Sequence, residues 1–126
     1  MSKAIPDDVL DPTLDEIALA DTLYVCSDQP ADFAGIAAVA LADIAVTPGH
    51  GNGDFTKANG DVSGRKLTTA QQADVDIDAS GDADHIVLAD AGNTRLLYVT
   101  TCTLQTLTMG GTVTVPAWDV ELADPS

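Results

Sequence analysis

The chain predicts a mainly β fold: a single-domain antiparallel β-sandwich or barrel-like fold of about 7–9 short strands with one short N-terminal helix. Three observations carry this expectation. From Thr22 onward, short runs rich in β-branched and aromatic residues recur between turn residues. Residues 59–90 place an Asn-Gly pair, the adjacent cations Arg65 and Lys66, and the alternating Asp74, Asp76 and Asp78 in a period-two pattern broken by glycines. Finally, 18 of the 20 acidic residues are aspartate, which is poor in helix and strand interiors and favoured at turns and caps. A chain of 126 residues forms one domain, 1–126, and buries roughly two thirds of the surface its unfolded form exposes.

The helix is expected over about 7–21 and the β-domain over about 22–123. Leu10, Leu14, Ile17 and Ala18 share one helical face. Asp11 and Pro12 suit an N-cap and first helical position, with Asp15 and Glu16 in the first turn; a start at Asp7 instead puts Pro12 inside the helix as a kink. L-Y-V-C-S after Thr22 is the first strand, ended by Asp28-Gln29-Pro30. Residues 31–41, rich in alanine but holding Gly35, read as a loop with some helix. Ile44–Val46 is a brief strand before the glycine loop at 48–53. Phe55–Ala58 and Val62–Thr69 form a hairpin about Asn59-Gly60. Strands at Ala73–Ala79, His85–Ala89, Arg95–Thr101 and Thr112–Leu122 complete the series. In the last of these, Val113 and Val115 have the opposite parity from Trp118, Val120 and Leu122, so Pro116 marks a bulge or edge position that absorbs one residue.

A net charge of −15, with only five basic residues, excludes direct nucleic-acid binding and points toward basic partners. The polar first residues and the one Ala-rich apolar run at 34–46, interrupted by Gly35 and Asp43, predict neither a leader nor a membrane span. Cys26 and Cys102 are too few for a zinc motif; buried reduced thiols are expected, with one disulfide as the alternative.

Asp74, Asp76 and Asp78, followed by Gly81, Asp82 and Asp84, are the residues from which a calcium site would be built. The EF-hand spacing fails, because Ala79 and His85 stand where glycine and a bidentate glutamate belong. A strand with solvated aspartates on one face and Val75 and Ile77 on the other accounts for the same pattern, so no metal is expected. His50 and His85 read as structural or exposed. With no nucleophile elbow or phosphate loop in the chain, no catalytic residue and no cofactor are expected. Arg65 and Lys66 serve either as counterions for the aspartate strand downstream or as a docking pair for another protein's carboxylate. Phe33 and Phe55, in the less regular part of the chain, are the candidate aromatic anchors beside them, whereas Trp118 is assigned to the core.

I-P-D-D-V-L-D at 5–11, Y-V-C-S-D-Q-P at 24–30, N-G-D-V-S-G-R-K-L-T at 59–68 and D-A-D-H-I-V-L-A-D at 82–90 together resemble a group of small proteins of tailed bacteriophages and prophages. The Ala-rich segment 34–42 departs from the Thr- and Ser-richer stretch of that group. The resemblance implies a non-enzymatic virion structural protein, made in the bacterial host cytoplasm and placed on the capsid surface as a decoration (cement) protein. Its partner would be the major capsid protein, and self-association into a small oligomer stays open. A head-tail junction or tail protein is the alternative the same resemblance allows. From the aspartate strand alone, a calcium-dependent carbohydrate-binding module is a second alternative.

Overall fold

A computed structural model describes residues 6–60 and 64–122, the Asp7 side chain excepted. The helix α1 spans Asp7–Ile17, and a short helix α2 spans Ile36–Val39. Nine strands follow the order β1 (Thr22–Cys26), β2 (Ala40–Ala45), β3 (Phe55–Asn59), β4 (Arg65–Thr69), β5 (Gln72–Asp76), β6 (Gly81–Asp90), β7 (Arg95–Leu107), β8 (Thr112–Val115) and β9 (Trp118–Leu122). All ladders are antiparallel: β2-β1-β6-β7, β3-β4-β9 and β5-β8. The fold is thus mainly β and sandwich-like or barrel-like, without a closed barrel.

Of the two helix starts, the one at Asp7 is adopted, with Pro12 inside the helix. Pro12 has no N–H for the Asp8 carbonyl, and tertiary contacts hold the segment instead. Leu10, Leu14, Ile17 and Ala18 are buried as one stripe. The helix ends at Ile17, short of the expected 21. The Leu19 and Ala20 amides bond to carbonyls three residues back, which tightens the last turn and releases the chain into β1.

The β4 and β5 strands, and likewise β8 and β9, form one ribbon bent at a corner. Thr69 pairs with Trp118 before the corner and Gln72 with Val115 after it, so residues 70–71 face 116–117 with the register unbroken. The expected bulge at Pro116 is instead this corner. The ribbon leaves one sheet for the other there, Pro116 needs no ladder bond, and the inward parity switches from Val113 and Val115 to Val120. A bulge does occur on the opposite strand, at Gln72 to Val75, where Asp74 takes φ 55°.

The β3-β4 connection also differs from a two-residue turn. Asn59 pairs with Arg65, the Gly60 amide donates to the Gly64 carbonyl, and Gly64 takes φ 70°. Val62 and Ser63, expected at the start of this strand, lie outside the described residues.

The main core lies between the sheets and includes Leu14, Leu23, Phe55, Leu67, Val75 and Leu88. A second cluster, Cys26, Ile36, Val87 and Ala89, covers the other face of β1 and β6 under α2, with Phe33, Tyr24 and Val99 around it. This is why β6 reads as the continuous run I-V-L-A: it is buried on both faces.

Candidate functional site

The five cations face 20 acidic residues in the sequence, and the structure commits the four described ones to internal pairs. Asp11 accepts from Arg65 Nε at 2.8 Å, Asp15 faces Lys57 Nζ at 2.6 Å, and Glu16 faces Arg95 Nη1 at 2.6 Å. These three acids sit on α1, which packs on β4 and β7. The pairs therefore staple the helix across two sheets. Arg65 also donates to Asn59 Oδ1 at 3.0 Å, while Lys66 lies 3.6 Å from Asp119 on β9. The counterions of Arg65 and Lys66 are thus Asp11 and Asp119, not the aspartate strand downstream.

Phe55 is 1% exposed and belongs to the core. Its ring cannot be offered to a partner while the fold is intact, which removes it as an anchor. Phe33 is half-buried against the second cluster. Asp74, Asp76 and Asp78 are all exposed, with Val75 and Ile77 buried between them. Asp78 lies beyond β5 and meets Asp43 instead: the hydrogen bond between these carboxyls, with burial and the Asp78 charge added, raises the Asp43 pKa. Among the described residues, no group of three or more His, Cys, Asp or Glu is placed to hold a metal ion.

His50 has a structural task, its Nδ1 accepting the Lys57 amide at 2.8 Å, and His85 contacts its neighbour Asp84. Asp21 caps the turn at Ala91–Asn93. It accepts the Ala91 amide at 2.8 Å and the Gly92 amide at 3.2 Å, and these bonds lower its pKa against the opposing pull of burial. Both cysteines are free thiols. Burial pushes Cys26 up to about 12; it also raises Cys102, with the charge of Asp84 adding to the effect.

The feature that residue-by-residue reading missed is a cavity of about 450 Å³ between β7 and β8. Residues 100–103, 105 and 107 form one wall, residues 113–116, 118 and 119 the other, and Val25, Ala83 and Ile86 complete it. Successive strand residues point to opposite faces, so a wall made of the unbroken run 113–116 is the edge of β8. On β7, Thr101 pairs with His85 and Gln105 with Ala83, so residues 102–104 bulge opposite Asp84 alone. Trp118 stacks on Tyr98 with ring centroids 5.9 Å apart, a half-buried wall of the cavity rather than a member of the closed core.

Among the described residues, neither β7 nor β8 has a strand on its outer side. An isolated bridge from Ala42 to Ile77, with the Asp78 and Ala79 amides on the Leu41 carbonyl, links β2 to β5. The strand order is therefore continuous, β7-β6-β1-β2-β5-β8, and both of its ends face the same cavity. It is the open seam of a barrel. The sequence did carry a signal for it: no charged residue occurs between Arg95 and Asp119 in this highly acidic chain.

Compared with protein-family models, curated proteins and solved structures, the chain matches none.

Proposed function

We propose that this chain is a non-enzymatic structural protein that binds other proteins, and specifically a decoration protein on the outside of a tailed-phage capsid. The series of sequence motifs that resembles small phage proteins supports the particular setting. The distribution of charge supports the general role: the described cations are tied into ion pairs within the chain, most acids lie toward solvent, and a seam between strand edges carries one charge in its lining, Asp119. Such a surface favours adhesion to neutral or basic protein surfaces over contact with packaged DNA. Repeated copies on a symmetric shell would add avidity to a contact that is weak singly.

The test is co-sedimentation of purified protein with undecorated heads, followed by counting copies in the intact particle. Binding at every equivalent position on the shell is expected. A single ring of copies would favour the head-tail alternative, and failure to bind at any salt concentration would remove the capsid reading.

A further inference from the structure

We infer that the seam between β7 and β8 is a strand-accepting groove, whose occupant is an uncharged extended segment of a different protein, flanked by lysine or arginine. This names a mode of binding and holds whichever protein supplies the segment.

Backbone chemistry selects an extended peptide. Each edge of a strand presents N–H and C=O groups on alternate residues, and an edge left bare is a template for another strand. Here two such edges bound one cavity, so an inserted strand finds partners on both sides, as it would in the middle of a sheet. The doubly paired stretch is limited by β8, which has four residues. The side chains of that stretch are also provided for. The inner face of the groove is built from apolar groups such as Ala83, Ile86, Leu107 and Val113, and its volume of about 450 Å³ lies in the range that takes several side chains. Alternate residues of the occupant are therefore apolar.

Charge selects which polypeptide enters. The one charged residue of the lining is Asp119, and the chain as a whole carries −15. A second copy of this chain brings the same negative field and is repelled, as is any acidic segment. A neutral strand with cationic flanks suffers no burial of charge in the groove and gains attraction at its mouth.

Trp118, the single tryptophan of the chain, lines the groove and reports on it directly. The probe is the peptide acetyl-Lys-Val-Thr-Val-Thr-Val-Lys-amide, titrated into the intact protein while Trp118 emission is followed. Saturable binding is expected, weakened about tenfold when alternate amides on one edge of the peptide are N-methylated, and lost when glutamate replaces the terminal lysines. Alkylation supplies a test without a mutation: Cys102 is partly exposed in the groove wall and Cys26 fully buried. Protein alkylated at Cys102 should no longer bind the peptide, and bound peptide should slow the alkylation.

Three results would overturn the inference. The first is no response to the lysine-ended peptide. The second is equal response to its N-methylated form or to a fatty acid alone, which would make the groove an apolar pocket rather than a strand acceptor. The third is a dimer of the isolated chain that closes the seam by itself.

Discussion

The α1 face and the β7-β8 seam are opposites in composition and in what they leave unfinished. Around α1, three acids of the helix meet three of the chain's few cations, and the apolar stripe below them is closed. Along the seam there is no charge between Arg95 and Asp119, and among the described residues two strand edges stand open beside a cavity. The difference teaches how a strongly acidic chain can hold together and still have somewhere to bind. Three of its cations fasten the helix to the sheets, and its neutral residues are gathered where another backbone can approach.

The sharpest contrast is in packing. Leu14 is fully buried beneath the helix, so Leu14→Ala should cost about 3 kcal/mol, read as a lowered denaturation midpoint. Cys102→Ala, at the wall of the cavity, should change stability by less than about 0.5 kcal/mol, since the space beside it is already open. Equal losses would erase the distinction between a closed face and an open one.

Among the ion pairs, burial sets the rank. The Arg65 and Asp11 side chains are 18% and 24% exposed, those of Arg95 and Glu16 48% and 51%. Arg65→Gln should lower stability by about 1–2 kcal/mol, because it also loses the bond to Asn59, and Arg95→Gln by about 0.5 kcal/mol or less. Comparing the two in low and high salt sharpens the result, since the exposed pair is screened more.

At the β6-β7 turn, Thr94 is held at φ 52°, a region that disfavours a β-branched residue. Thr94→Gly should raise stability by about 0.5–1 kcal/mol in the same assay, the relief of strain exceeding the added freedom of the unfolded chain.

The smallest effect is in pH dependence, and it has opposite signs at two sites. The folded-state pKa of Asp21 is lowered, so its contribution is present above the ordinary value of 3.8 and is lost as pH falls through the folded value. That of Asp43 is raised, so the folded form holds its proton longer, and destabilisation sets in as pH rises from 3.8 through the folded value. Asp43→Asn should therefore raise Tm at pH 7 and leave it unchanged at pH 3. Asp21→Asn should lower Tm at pH 7, and that effect should shrink as pH falls below 3.8.

Much of the fold was legible from sequence because its signals are local. The helical stripe from Leu10 to Ala18, the strand at Thr22, and the parity switch about Pro116 each follow from the spacing of a few side chains. What escaped depends on pairing at a distance. The corner at Pro116 is seen only once β4-β5 and β8-β9 are recognised as one ribbon, and nothing in Arg65 or Lys66 alone says that Asp11 and Asp119 are their partners. Phe55 is a candidate anchor from sequence because it lies in the less regular part of the chain, yet it opens β3 with its ring turned into the core. The cavity was the least legible, since it is made by strands that do not pair. Its only trace was the missing charge from Leu96 to Trp118.

Amide hydrogen exchange on the isolated protein tests the open seam most directly. If β7 and β8 are bare on their outer sides, protection should alternate along Leu96–Thr106 and Thr112–Val115, slow for amides bonded to β6 or β5 and fast for those facing the cavity, while β1 and β6 exchange slowly throughout. Uniform slow exchange along β7 and β8 would mean that the seam is already closed, and would contradict the account.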